Sequence, residues 1–127
     1  VQAGEALART LLLRVHLADL TTDTLLSLET EAVVRHAVNL SPDGRWLIYS
    51  QQTDRLPVRH FLLDGASGQV MVSSWESSHF GAFTWSADGD WLAHVRDGIV
   101  ALIQPETAVV HPIIVPNAHC TSAVWAQ

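Results

Sequence analysis

The sequence has no lysine and a single cysteine, Cys120. One thiol cannot form an internal disulfide, so no staple stands in for a core and the redox compartment stays open. All seven basic residues are arginines, set against 13 acidic residues for a formal charge of −6. Nucleic-acid binders neutralise phosphates with basic clusters, so this balance argues against a nucleic-acid partner. No apolar run approaches the ~20 residues needed to cross a bilayer, and no membrane span is expected. No signal-peptide pattern is visible, which leaves the localisation undecided. Helical periodicity is not sustained after residue 14. Residues Glu5–Leu13 have the spacing of a helical turn, but their place in an internal repeat favours strand or loop.

Chemistry-bearing motifs are scarce too. The seven histidines are His16, His36, His60, His79, His94, His111 and His119, and no pair has the close spacing of a zinc motif. Ser41 and Ser86 lack the Gly-x-Ser-x-Gly elbow of hydrolases. Cys120 follows His119 directly, and adjacent residues of a strand point to opposite faces, away from nucleophile–base contact. Asp88 and Asp90 are not followed by the ligands of a calcium loop. No phosphate-cradling glycine motif is present. The expectation is therefore no catalytic residue, no metal site and no cofactor.

What is present is the internal repeat. SPDGRWLIYS at 41–50 returns as SADGDWLAHV at 86–95, 45 residues on. HFLLDGASGQV at 60–70 has counterparts in VHLADLTTDT at 15–24, spaced 45, and ALIQPETAVV at 101–110, spaced 40. On that spacing Asp19 matches Asp64, and Gln104 stands in the third copy. His79 matches His119 and Trp85 matches Trp125, again 40 apart. The shortening falls in QQTDRLPVR at 51–59, which the later copy reduces to Asp97-Gly98.

Each period holds four short apolar runs. The middle period has His36–Leu40, Trp46–Ser50, His60–Asp64 and Gln69–Ser73; the next has Gly81–Trp85, Trp91–Arg96, Ile99–Ile103 and Val109–Val115. Ser-Pro-Asp-Gly and Ala-Asp-Gly are turn signals: proline presets φ, aspartate bonds its own backbone and glycine accepts positive φ. Asp97-Gly98 is a two-residue hairpin signal. Trp46-Leu47-Ile48-Tyr49 is apolar on both sides, as a strand buried on both faces requires. A period of 40 to 45 residues with four strands is the signature of a propeller blade.

SPDGRWLIYS followed by FLLDGASGQV resembles the WD-repeat-like β-propellers, especially their TolB-like branch, from about Arg14 to Gln127. The resemblance implies an all-β fold of four-stranded antiparallel blades. Where strict WD repeats end their third strand in Trp-Asp, this chain has Ala18-Asp19, Leu63-Asp64 and Ile103-Gln104. The TolB-like pattern, which does not need a buried His–Ser/Thr–Trp–Asp network, fits better.

The repeat frame divides the chain. Residues 1–35 would hold strands two to four of a first blade, 36–78 a second blade, 79–117 a third, and 118–127 the opening strand of the next. That is twelve strands, three blades' worth in permuted order. Three blades do not readily close a ring, so the missing neighbours are expected on a longer chain, on a second copy or on another subunit.

Trp46, Trp91, Trp85 and Trp125 follow the repeat and read as packing residues. Trp75 does not, and lies in SSWESS, read as a loop between blades. The loop at 51–59, with Arg55 and Arg59, falls on the same side, as does His79. Aromatic and arginine residues anchor interfaces, so Trp75, Arg55, Arg59 and His79 are the candidate partner-binding residues. The expected function is a non-catalytic scaffold for protein–protein interaction. Alternatives are the gating propeller of a prolyl-oligopeptidase-type peptidase, or a small-molecule or glycan binder.

Overall fold

The computed structural model of the chain describes residues 7–54, 57–77, 80 and 82–126. Among these are ten β-strands and no helix. β1 (Ala8–Val15) and β2 (Thr22–Thr30) form a two-stranded antiparallel sheet. β3 (Val33–Leu40), β4 (Trp46–Thr53), β5 (Val58–Asp64) and β6 (Val70–Ser77) form a four-stranded antiparallel meander in chain order. β7 (Ala82–Trp85), β8 (Leu92–Arg96), β9 (Ile99–Gln104) and β10 (Val109–Ile113) form a second such meander.

The turns explain why the strands reverse where they do. Ser41 Oγ donates to Asp43 Oδ1 at 2.6 Å, and that carboxylate accepts the Arg45 amide at 3.1 Å. The Trp46 amide donates to Ser41 Oγ at 2.9 Å, and Gly44 takes φ 76°. The β7–β8 turn repeats this bond for bond. Ser86 Oγ donates to Asp88 at 2.7 Å, the Asp90 amide reaches Asp88 at 3.0 Å, and the Trp91 amide reaches Ser86 Oγ at 3.0 Å. Gly89 takes φ 77°. At the β8–β9 hairpin, Asp97 and Gly98 both have positive φ, 50° and 81°, as a type I′ turn demands.

Several expectations need correction. The β1–β2 turn is aligned by its positive-φ residue, Leu20, which corresponds to Gly68 and Ala108 in the later turns. The first spacing is thus 48 rather than 45, and Asp19 is not the counterpart of Asp64. A register irregularity between Leu12 and Leu13 accompanies this longer copy. Residues 1–35 carry two strands among the described residues where three were expected. The second-strand position falls at 1–6, outside the described residues, and β3 already begins at Val33. Residues 8–13 are strand, as their place in the repeat favours. The closing segment 118–126, where an opening strand was expected, pairs with no strand among the described residues.

The three sheets stack. On β4 and β5, Leu47, Tyr49, Phe61 and Leu63 face the first sheet and pack on Leu12, Leu25, Leu26 and Leu28. The alternate residues Trp46, Ile48 and Leu62 face the third sheet and meet Leu92 and Ile103. On the far side of the third sheet, Ala93, Val95 and Val100 are covered by Cys120, Ala123 and Trp125 of the closing segment. Each fully buried aliphatic side chain contributes about 1.5–3 kcal/mol.

The facing pattern keeps the repeat spacing. Leu47 corresponds to Leu92, and Leu63 to Ile103; both pairs look toward the preceding sheet. Ile48 corresponds to Ala93 and Leu62 to Leu102, and both pairs look toward the next layer of the stack. Polar bonds tie the layers at their margins. The Arg14 guanidinium donates to the Gly65 and Ala66 carbonyls and pairs with Asp23 at 2.9 Å. Arg45 lies 3.9 Å from Glu106.

The hydroxyl of Ser41 and the amide of Arg45 hold the Asp43 carboxyl below its ordinary value near 3.8. Ser86 and the Asp90 amide do the same for Asp88. A carboxyl whose folded pKa is depressed stabilises the fold above the unfolded value and loses that contribution as pH falls through the folded value. Asp43→Ala and Asp88→Ala should each lower Tm at neutral pH. The gap to the parent protein should begin to close near pH 4 and vanish below it in melts followed by circular dichroism. A gap that persists into strong acid would show that the turns do not depend on the ionised carboxylates.

Candidate functional site

The most concentrated group of functional side chains lies between the second and third sheets. Alternation along β5 puts His60 on the same face as Leu62, and alternation along β8 puts His94 on the same face as Leu92. The imidazoles meet edge to face with centroids 4.9 Å apart. Phe83 stacks on His94 at 4.1 Å, with planes within 8°. Trp75 lies 5.2 Å from His60 and donates its indole N–H to His94 Nδ1 at 3.1 Å.

His60 is hydrogen-bonded on both ring nitrogens. Nδ1 is 2.7 Å from Ser50 Oγ and Nε2 is 2.8 Å from Ser77 Oγ. The register explains the first bond: Ser50 and His60 are directly opposed across β4 and β5. A hydroxyl beside an imidazole is the geometry of an activated nucleophile. Here, however, Ser50 is 2 %, His60 0 % and Ser77 4 % exposed, so a substrate reaches Ser50 only if the sheets part. The arrangement satisfies polar groups inside an otherwise apolar layer.

Of the sequence-derived candidates, Trp75 and Arg59 fall among the described residues. Trp75 is in β6, not in a loop, and packs partly buried against the core between the sheets. Its place follows from β6 running to Ser77, four residues past the apolar run read from the sequence. Arg59 is likewise in β5, with its guanidinium 5.7 Å from the Phe61 ring centroid. Arg55 and His79 lie outside the described residues.

The remaining tryptophans carry a second pattern. Trp85 Nε1 donates to Asn39 Oδ1 at 2.7 Å, from the third sheet to the second. Trp125 Nε1 donates to the Thr84 carbonyl at 2.8 Å, from the closing segment to the third sheet. Asn39 precedes the position matched by Trp85, and Thr84 precedes Trp85 itself. The indole bond therefore repeats in register from layer to layer.

Surface depressions border these elements. An apolar groove of about 350 Å³ is lined by Ala93, Val100, Leu102, Ile113, Ala123 and Trp125. A small polar cleft of about 100 Å³ lies among Asp43, Arg45, Asp90 and Glu106 at the turn end of the stack. No group of three or more His, Cys, Asp or Glu side chains able to hold a metal occurs among the described residues. No helix among them is long and apolar enough to cross a membrane. Comparison with protein-family models and with curated protein sequences finds no match for the chain.

The buried cluster makes two expectations measurable. Ser50→Ala leaves a buried His60 ring nitrogen without its hydroxyl, a loss of about 1–3 kcal/mol. Trp75→Ala removes a half-buried indole and should cost roughly 2 kcal/mol, below the 3–5 kcal/mol of a fully buried aromatic. Urea unfolding of both variants checks this. A Trp75→Ala midpoint equal to that of the parent would return Trp75 to the surface.

Proposed function

We propose that the chain is a segment of a β-propeller of the WD-repeat-like, TolB-like kind, and that it serves as a non-catalytic scaffold for protein–protein interaction. The observation that carries this reading is the layer-to-layer repetition. The same positions face backward and forward in successive sheets, and an indole N–H from the matched tryptophan reaches back to the matched residue of the preceding layer, the Asn39 side chain in one case and the Thr84 carbonyl in the other. In this reading each four-stranded meander is a blade, and the segment 118–126 occupies the place of the next blade's first strand.

A stack of this kind holds loops at its two ends on a rigid base, and such loops vary without disturbing the core. The turns with Asp43, Asp64 and Asp88 lie at one end. The loop around Asp54 lies at the other, together with Arg59 at the start of β5. The scaffold function rests on fold-level analogy, supported by the sealed state of the Ser50–His60 pair. The partner is then a protein, or further blades.

Incorporating a photo-crosslinking side chain at Asp54, and separately at Ser67, tests the reading in cells. Both positions are exposed, and they lie at opposite ends of the stack. A discrete protein adduct from position 54 and none from 67 is expected. Absence of adducts from either end would count against an interaction scaffold.

A further inference from the structure

We infer that the interface between the second and third sheets is an acid-operated clasp, closed around a neutral His94 and parted when that imidazole takes up a proton. The inference goes beyond the scaffold reading and stands on the side-chain geometry of the layer.

One hydrogen bond sets the direction. An indole N–H donates and does not accept. Trp75 Nε1 lies 3.1 Å from His94 Nδ1, so that nitrogen is the acceptor and carries no proton in the closed layer. A proton added there sets one N–H against another and breaks the bond. The bond crosses the interface, with Trp75 on β6 of the second sheet and His94 on β8 of the third. His60 differs. Its Nδ1 and Nε2 face the hydroxyls of Ser50 and Ser77 at 2.7 and 2.8 Å. A hydroxyl accepts as well as it donates, so both bonds survive a proton on His60. His94 is therefore the trigger and His60 its fixed neighbour.

The surroundings oppose a cation at His94. The side chain is 0 % exposed, and a charge taken out of water is costly. The titratable group facing it across the interface is His60 on β5, 4.9 Å away between ring centroids. β6 contributes Trp75 and Ser77, β4 contributes Ser50, and β7 contributes Phe83, whose ring stacks on His94. β9 sets Ala101 opposite it. On β3 the Arg35 guanidinium lies 4.4 Å over the Phe80 ring, and two residues on Ala37 is paired directly with Ser50. A cation thus already flanks the layer, and Arg96 stands two residues beyond His94 on β8. The carboxylates closest along these strands, Asp54, Glu76 and Asp97, are exposed. Strand alternation turns Glu76 and Arg59 to the opposite face from Trp75 and His60.

Once the sheets part, His94 becomes an ordinary imidazole that titrates near pH ~6.5. The parted form then binds a proton that the closed form excludes, so acid favours parting, by about tenfold per pH unit below about 6.5. That window lies above the range in which Asp43 and Asp88 take up protons, so the clasp and the turns titrate separately. The layer between the first and second sheets is built of leucines, Tyr49 and Phe61 and stays closed.

Fluorine NMR on the chain labelled with fluorotryptophan and fluorotyrosine tests the inference. Trp75, assigned through Trp75→Phe, reports the second interface, and Tyr49, the one tyrosine of the sequence, reports the first. Urea titrations between about pH 7.5 and 5, followed at each resonance, give an opening constant for each interface. The Trp75 constant should rise about tenfold per pH unit below about 6.5, and the Tyr49 constant should not follow it. In His94→Phe the Trp75 constant should be flat over the same range. Imidazole NMR on the unmodified chain is the second measurement, independent of whether that variant folds. His94 Nδ1 should stay unprotonated for as long as the Trp75 resonance keeps its closed position. A His94 that gains a proton with the Trp75 resonance unmoved would overturn the inference. So would a Trp75 constant that ignores pH, one whose pH dependence survives in His94→Phe, or Trp75 and Tyr49 resonances that move as one.

Discussion

The burial of β4 and β5 on both faces is the constraint on which the rest of the molecule depends. Ile48 and Leu62 are sealed on one side, Leu47 and Leu63 on the other. A sheet of this kind cannot stand alone, because either face left wet forfeits the hydrophobic term that offsets the entropy of ordering the chain. The first and third sheets are there to cover it. Each in turn carries an apolar second face, so the demand for cover passes outward through the stack. The closing segment answers part of that demand at one end, through Ala123 and Trp125 against the third sheet.

The turns convert this demand into register. Slipping a strand by one residue exchanges its two faces. In a sheet apolar on both sides that slip is not prevented by hydrophobicity alone. The Ser41–Asp43–Trp46 and Ser86–Asp88–Trp91 turns fix where β4 and β8 begin. The indole bonds from Trp85 and Trp125 then fix how successive layers sit on one another. Arg14, reaching from β1 to the carbonyls of Gly65 and Ala66, does the same for the first two sheets.

Much of this is legible in the sequence. The four runs of each meander, the two aspartate–glycine turns and the Asp97-Gly98 hairpin carry strong local chemistry, and the strands fall where that chemistry puts them. The strand ends are less legible. β6 continues through Ser77 because ladder hydrogen bonds to β5 hold polar residues as readily as apolar ones, so the polar run SSWESS conceals a strand. Leu20 takes a positive φ that glycine takes at 68. Without a glycine to mark it, the first turn aligns three residues out of place. The His60 cluster is hidden for another reason. Its members come from five strands of two sheets, and only the Ser50–His60 register lies within reach of a hairpin argument.

That cluster separates the two interfaces chemically. Between the first and second sheets the buried layer is Leu12, Leu25, Leu26 and Leu28 on Leu47, Tyr49, Phe61 and Leu63, with the Arg14 bonds to Gly65 and Ala66 at its margin. Between the second and third, two imidazoles, two serine hydroxyls and an indole N–H enter the layer beside Ile48, Leu62 and Leu92. Apolar layers tolerate rearrangement, since any well-packed arrangement of similar volume costs little. A buried hydrogen-bond network tolerates little, because each broken bond leaves a desolvated polar group behind. The second interface is therefore the more directional of the two. In a fold assembled from similar layers, direction matters as much as adhesion. The repeat supplies surfaces that would stack in several ways, and Ser50, His60, Ser77, Trp75 and His94 select one of them.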